Sequence, residues 1–164
     1  MSGSGISVNG PKTLRGSLLL VVLAVGLIGY GGYDYVDSTS QVRNSVEVEA
    51  TIVETGVETS TSGGRRSRSI DYQPTVTFEY AYQGANYTST NVFPSTTSPT
   101  YDTESAAQDV IAGYDAGETA TAYLAPASPG GAFLKNRVTN APLIMAGLGL
   151  LLALLGGYSA LQNI

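Results

Sequence analysis

Two uncharged apolar stretches, one near each end of the chain, constrain its fold more than any other feature. No charged residue occurs from Gly16 to Tyr33 or from Val138 to Ile164. A helix of roughly 20 apolar residues crosses a hydrocarbon core about 30 Å thick. The sequence therefore predicts transmembrane helices at residues 16–36 and 138–164, the second with a short tail. A tail at residues 1–15 and a domain at residues 37–137 make up the rest.

The first apolar stretch could also begin a secretory signal, because Lys12 and Arg15 precede it. It continues to Val36, beyond the usual length of a signal, which favours an uncleaved anchor. Basic residues before the first span favour a multi-pass protein of the cell membrane with both termini in the cytoplasm and the central domain outside. Lys135 and Arg137, just before the second span, disagree with this orientation, but the first span usually dominates.

The chain contains no cysteine and no histidine. It therefore has no disulfide, no thiolate nucleophile, and neither the commonest general base nor the commonest transition-metal ligand. No carboxylate spacing matches a calcium loop, and no phosphate-binding glycine loop or nucleophile motif occurs. We predict no catalytic residue, no cofactor and no metal site, and expect a protein that is not an enzyme.

The charge balance argues against a nucleic-acid partner. Asp and Glu total 13 against 8 for Lys and Arg, which gives a net charge of −5, whereas nucleic-acid phosphates require clustered basic residues. An acidic composition with so few lysines resembles that of haloarchaeal proteins.

Alternating apolar and polar residues predict that the central domain begins with an antiparallel meander. Strands are expected at Val46–Ile52, Thr75–Tyr82 and Ala85–Val92, with a tight turn at Gln83-Gly84. The polar residues Glu58–Arg68 are predicted to form a hydrophilic tip between the first two strands.

The second half of the domain is predicted to add a short helix and two short strands. Asp102 or Thr103 can cap the helix, and Gly113 can end it. Strands are expected at Thr119–Leu124 and Ala132–Leu134. The predicted fold class is membrane α plus all-β: two transmembrane helices flank a small antiparallel β domain, a curved sheet or partly closed barrel, with one inserted helix.

These strands and turns resemble the domain of unknown function 3592 family. The resemblance is carried by strand aromatics and turn residues: Val46–Ile52, Tyr72-Gln73-Pro74-Thr75-Val76, Tyr80–Tyr82, Gly84, Tyr87, Tyr114, Gly117, Tyr123, Pro126, Pro129 and Leu134. This sequence departs from the family pattern at Ala125-Pro126, where many relatives have a polar residue before the proline. The resemblance implies a small membrane protein with a β domain between flanking helices in the cell envelope, and it supplies no catalytic residues.

Three sets of residues are candidate sites. Arg65, Arg66 and Arg68 could contact an anion or lipid head groups, or could be a solvated hairpin tip. Asn86 begins an Asn-x-Thr glycosylation sequence.

The third set concerns helix packing and comprises Gly149, Ala153 and Gly157, which follow one another at four-residue spacing in the second span. Small residues in such a register let a helix approach closely. They could form a dimerisation seam, or they could pack the two spans against each other as a hairpin.

The central tyrosines and Asp34 have simpler interpretations. The tyrosines could bind sugar or peptide, but in a small β domain they more often fill the core. Asp34 is expected at the outer end of the first span, where its charge can reach the membrane interface.

The sequence favours a non-enzymatic integral membrane protein whose β domain mediates protein or envelope interactions. Its expected partners are membrane lipid and either another protein or a second copy of the chain. Two alternatives remain: a ligand-sensing module with a pocket between helix and sheet, and a structural membrane component of a larger assembly such as a virion.

Overall fold

The computed structural model describes residue 11, residues 13–64 and residues 67–162, and only the backbone at residues 62–64, 67 and 68. The elements are α1 (Leu14–Arg43), β1 (Val46–Gly64), β2 (Ser67–Tyr82), β3 (Ala85–Ser89), α2 (Glu104–Ile111), β4 (Thr119–Leu124), a 3-10 turn (Pro129–Gly131) and α3 (Ala141–Gln162). The predicted fold class is confirmed: two apolar helices flank an antiparallel β domain with one short helix.

The chain divides into two compact units: a helical unit drawn from Met1–Tyr33 and Pro142–Ile164, and a β unit, Asp34–Ala141. In the helical unit, α1 and α3 are both long and apolar enough to cross a membrane.

The helical unit is a hairpin held together by close contacts at glycines. A methyl group added to Gly149 would lie 2.8 Å from the carbonyl oxygen of Ala24, and one added to Gly31 would lie 2.5 Å from that of Pro142. Only glycine permits such an approach, which lets the two helices gain van der Waals contact along their length. The alternative in which the spans pack on each other therefore describes this unit.

A polar contact lies at the other end of the hairpin. The buried Ser17 hydroxyl donates a hydrogen bond to the Ser159 hydroxyl over 3.0 Å, and Ser159 donates to the carbonyl oxygen of Pro11 over 2.6 Å. Hydrogen bonds between membrane helices contribute on the order of 0.6–2 kcal/mol each.

The β unit contains a four-stranded antiparallel sheet with the order β3-β2-β1-β4. Phe133 links the two sides of this sheet, because it bridges Tyr123 of β4 in antiparallel fashion and Asn91, just after β3, in parallel fashion. The amide of Tyr123 donates to the carbonyl oxygen of Phe133 over 2.7 Å, and the reverse bond measures 2.8 Å. The sheet is therefore a partly closed barrel, and the strand predicted at Ala132–Leu134 is reduced to these bridges.

Branched and aromatic side chains fill the core of the β unit. Ile52, Val76, Phe78, Leu124 and Phe133 are at most 1 % exposed. Burying each such side chain contributes about 1.5–3 kcal/mol. Val110 of α2 belongs to the same buried cluster, so apolar packing occupies the space beneath that helix.

Local turn and cap chemistry agrees with the sequence. Gln83 and Gly84 both have positive φ, 50° and 83°, as a two-residue hairpin turn of this hand requires. The Thr103 hydroxyl caps α2 by accepting a hydrogen bond from the amide of Ala106 over 3.2 Å, and Gly113 follows the helix with a φ of 88°.

Two elements are longer than the sequence suggests. Helix α1 continues past Val36, the predicted end of the first span, to Arg43, and its polar last turns are stabilised by local bonds such as that from Gln41 to the Asp37 carboxylate, 2.7 Å. The predicted tip Glu58–Arg68 is largely strand, because β1 runs to Gly64 and pairs residue by residue with β2. Thr59, Ser60 and Thr61 of this segment are exposed, which suits their polar side chains.

Candidate functional site

Asp34 lies in the C-terminal third of α1 and is 2 % exposed, the only Asp, Glu, Lys or Arg among the buried side chains that the structure describes. It belongs to the β unit. Its carboxylate therefore faces protein rather than solvent.

Three consecutive residues bind this carboxylate. One oxygen, Oδ2, accepts from the Ser95 hydroxyl over 2.7 Å and from the amide of Thr97 over 3.2 Å. The other, Oδ1, accepts from the amide and the hydroxyl of Thr96 over 3.0 and 2.9 Å. A buried charge is tolerated only when it is paired or hydrogen-bonded, and here the loop supplies the donors.

The loop at residues 93–99 is shaped to present these donors. Phe93 and Pro94 are buried and hold its start, and the amide of Thr97 lies 3.0 Å from the Ser95 hydroxyl oxygen, which tightens the turn. Because both of its oxygens accept hydrogen bonds, the carboxylate has a structural role: it holds the C-terminal part of α1 against this loop.

Carboxylates elsewhere in the described chain are not gathered into a metal site. No group of three or more His, Cys, Asp or Glu that could hold an ion occurs among the described residues. Glu47 and Glu49 line an open depression of about 280 Å³ on the β1–β4 face, together with Thr119 and Thr121. The two glutamates are exposed and alternate with inward-facing Val48, as on a solvated strand face.

Beyond the barrel, β1 and β2 continue as a two-stranded ribbon. β4 accompanies β1 no further than Thr51, and the last backbone bonds on that side join Ile52 to Gly117 and Glu118. Within the described ranges, β1 past Ile52 makes backbone hydrogen bonds to β2 alone. One edge of the ribbon is therefore open.

The orientation of the backbone groups along this edge follows from Tyr72. In an antiparallel pair, two opposed residues point their amide and carbonyl groups either toward each other or both away. Tyr72 exchanges bonds of 2.9 and 2.8 Å with Tyr101, on the side away from β1. Thr59, opposite Tyr72, therefore points its backbone groups to the open edge, and so does Thr61 two residues later.

The two faces of the ribbon differ. Ile70, opposite Thr61, is 54 % exposed and lies on the face that continues inward to Val57 and Pro74. Glu54 and Glu58 are exposed on the opposite face. The ribbon thus combines an apolar face, an acidic face and unpaired backbone groups.

The predicted basic cluster is only partly within the described residues. Arg65 and Arg66 lie outside them, and Arg68 is described by its backbone, which pairs with Gly63.

Two further basic residues of the domain, Lys135 and Arg137, lie over aromatic rings. The Lys135 amine is 5.8 Å from the centre of the Tyr114 ring, and the Arg137 guanidinium is 5.2 Å from that of Phe93. Burial, and then the neighbouring Arg137 charge, lower the pKa of Lys135. Cation–π contacts stabilise both side chains in these positions.

The remaining predicted residues lie in different parts of the fold. Asn86 is exposed in β3, opposite Ala81. Gly149 lies in the hairpin contact, Ala153 is half-buried, and a methyl group added to Gly157 would meet nothing within 4 Å.

Most central tyrosines pack in or against the core. Tyr80 is 4 % exposed, and Tyr82, Tyr87, Tyr101 and Tyr114 pack around the core cluster. The Tyr80 hydroxyl donates to the carbonyl oxygen of Pro129 over 2.6 Å and accepts from the amide of Ala132 over 3.3 Å. Burial raises the pKa of Tyr80, and also that of Tyr114.

Sequence reasoning missed the role of Asp34. Its bonding partners lie 61 to 63 positions away, and no local spacing connects the two segments. The only available signal was an acid that follows directly on an apolar stretch, together with a Ser-Thr-Thr triplet in a loop.

The comparisons with known proteins identify a family for the central domain. No curated protein matches the chain. The model of one family, Domain of unknown function (DUF3592), matches residues 48–139, which is more than half of the 164 residues and covers the barrel and the ribbon rather than the apolar helices. The chain therefore belongs to the DUF3592 family.

Proposed function

We propose that this protein is an integral membrane protein whose β domain, on the outer side of a cell membrane, binds an extended segment of a partner protein along the open edge of the ribbon. The observation that carries the proposal is the unpaired edge of β1 beyond Ile52. Exposed strand edges are templates for a further strand, and binding by strand addition is a recurring mode of recognition.

Glu54 and Glu58 on one face favour a partner strand with Lys or Arg at matching alternate positions, because opposite charges on neighbouring strands attract.

The proposed topology places both termini in the cytoplasm. It is supported by Lys12 and Arg15 ahead of the first span and by the two apolar helices. The acidic, lysine-poor composition further suggests that the protein works in high salt, as haloarchaeal proteins do.

A proline scan of the ribbon in the full-length protein tests the proposal. Thr61→Pro removes an amide that faces the open edge and leaves the β1–β2 ladder intact, since edge strands tolerate proline at such positions. We expect recovery of cross-linked partner from native membranes to fall at least roughly tenfold, which corresponds to about 1.4 kcal/mol. Thr61→Val, which keeps the amide, should retain recovery.

The neighbouring position gives the matched folding control. Ser60→Pro removes an amide that points toward Asp71 of β2, so it should lower the melting temperature of the domain, whereas Thr61→Pro should not. Undiminished partner recovery with both Thr59→Pro and Thr61→Pro would contradict binding along this edge.

A further inference from the structure

We propose that Asn86 carries an N-linked glycan, so that β3 is a modified strand on the surface of the barrel. The sequence Asn86-Tyr87-Thr88 has the acceptor form Asn-x-Thr without proline. Asn86 and Thr88 are both exposed in the structure, while Tyr87 between them is half-buried. The inference rests on the proposed topology, because only a domain displayed outside meets the glycosylation machinery.

The alternation of β3 directs the two acceptor residues outward together. Successive strand residues point to opposite sides, so Asn86 and Thr88 share the solvent side and Tyr87 points inward. The Tyr87 ring stacks on Tyr80, with the ring centres 5.6 Å apart. This inward anchor fixes which way the acceptor side chains face.

The position also leaves room for a sugar. Asn86 lies two residues after the tight turn at Gln83-Gly84, and every residue from Gln83 to Asn86 is exposed. Opposite it on β2 stands the small, exposed side chain of Ala81. A glycan on the amide nitrogen of Asn86 would extend into solvent and disturb neither the core nor the ladder.

The test is the intact mass of the full-length protein made in a host that N-glycosylates its surface proteins. We expect a mass excess of whole sugar residues that disappears with Asn86→Gln and with Thr88→Ala. Thr88→Ser, which keeps the hydroxyl that the acceptor sequence requires, should retain it. Since Asn86 and Thr88 are exposed, none of these changes should unfold the domain.

An acceptor site introduced at a second position shows whether a missing glycan at Asn86 reflects that site alone or a β domain that does not face outward. Thr103→Asn creates Asn-Glu-Ser at an exposed helix start and preserves the cap, because asparagine is as good a cap as threonine. If that variant is glycosylated while Asn86 is not, the inference is overturned and the outward topology stands. If neither position is modified, both are overturned.

Discussion

The carboxylate of Asp34 holds together segments that are far apart in the chain. It receives hydrogen bonds from Ser95, Thr96 and Thr97 and so connects the end of α1 to the loop after β3. A buried charge with this many donors is worth more as a positional constraint than as a reactive group, since its lone pairs are already engaged.

We predict that Asp34→Ala destabilises the β unit by about 3 kcal/mol or more, because several donors to a charged acceptor are left unsatisfied at once. Thermal unfolding of the full-length protein in detergent micelles measures the loss, and the amides of Thr96 and Thr97 should lose protection from hydrogen exchange. Asp37→Asn is the control: Asp37 is half-buried and accepts from Gln41, so its effect should stay below about 1 kcal/mol. If the amides of Thr96 and Thr97 kept their protection in Asp34→Ala, the structural role of the Asp34 carboxylate would be contradicted.

The hydroxyl of Tyr80 gives a second prediction, in which pH is the variable. Tyr80→Phe should cost about 1–3 kcal/mol near neutral pH, because the half-buried carbonyl of Pro129 and the buried amide of Ala132 lose their partner. Burial raises the pKa of Tyr80 above its ordinary value of 10.0, so only the unfolded state releases this proton just above pH 10. The wild type therefore loses stability as the pH rises through that window, while the variant does not.

The stability difference between wild type and Tyr80→Phe should thus shrink above about pH 10. Denaturant unfolding of both proteins at pH 7, 9 and 11 measures it, and other titrating groups such as Lys135 cancel in the comparison. A difference that stays constant or grows with pH would mean that the hydroxyl is not held neutral in the fold.

Among the helices and strands, the packing of α1 on α3 depends on individual glycines. A methyl group at Gly149 would press on the backbone of Ala24 and Ile28, whereas one at Gly147 would meet nothing within 4 Å. We predict that Gly149→Ala destabilises the hairpin by about 1–3 kcal/mol, as overpacking does. Gly147→Ala should be neutral or slightly stabilising, because alanine favours helix.

The stability of each variant is measured by unfolding it in mixed micelles with an increasing fraction of denaturing detergent. Equal behaviour of Gly149→Ala and Gly147→Ala would show that the contact at Gly149 does not hold the hairpin together.

How far each element could be predicted depends on the range of the interaction that defines it. The Gln83-Gly84 turn, the Thr103 cap and the apolar helices follow from chemistry within a few neighbouring residues, and the sequence predicts them correctly. The long ribbon does not, because Ser- and Thr-rich segments have weak local preferences and become strands only by pairing with each other. The hydrogen bonds of Asp34 could not be predicted for the same reason, since nothing near it in the sequence indicates its partners.

For the molecule as a whole, the absence of cysteine makes the proposed topology directly measurable. Ser105→Cys places a single thiol at an exposed position of α2, and Ser4→Cys places one in the predicted cytoplasmic tail. We predict that a membrane-impermeant maleimide added to intact cells labels the first and not the second, and that both react after lysis. The reverse pattern would overturn the outward display of the β domain.

The position of Phe133 in the chain determines when the barrel can close during synthesis. Phe133 bridges β4 to the segment after β3 and lies between β4 and α3 in the chain. Because synthesis proceeds from the N-terminus, the barrel stays incomplete until nearly all of the β unit has been made. Closure of the barrel should therefore come at nearly the same time as the emergence of α3 from the ribosome.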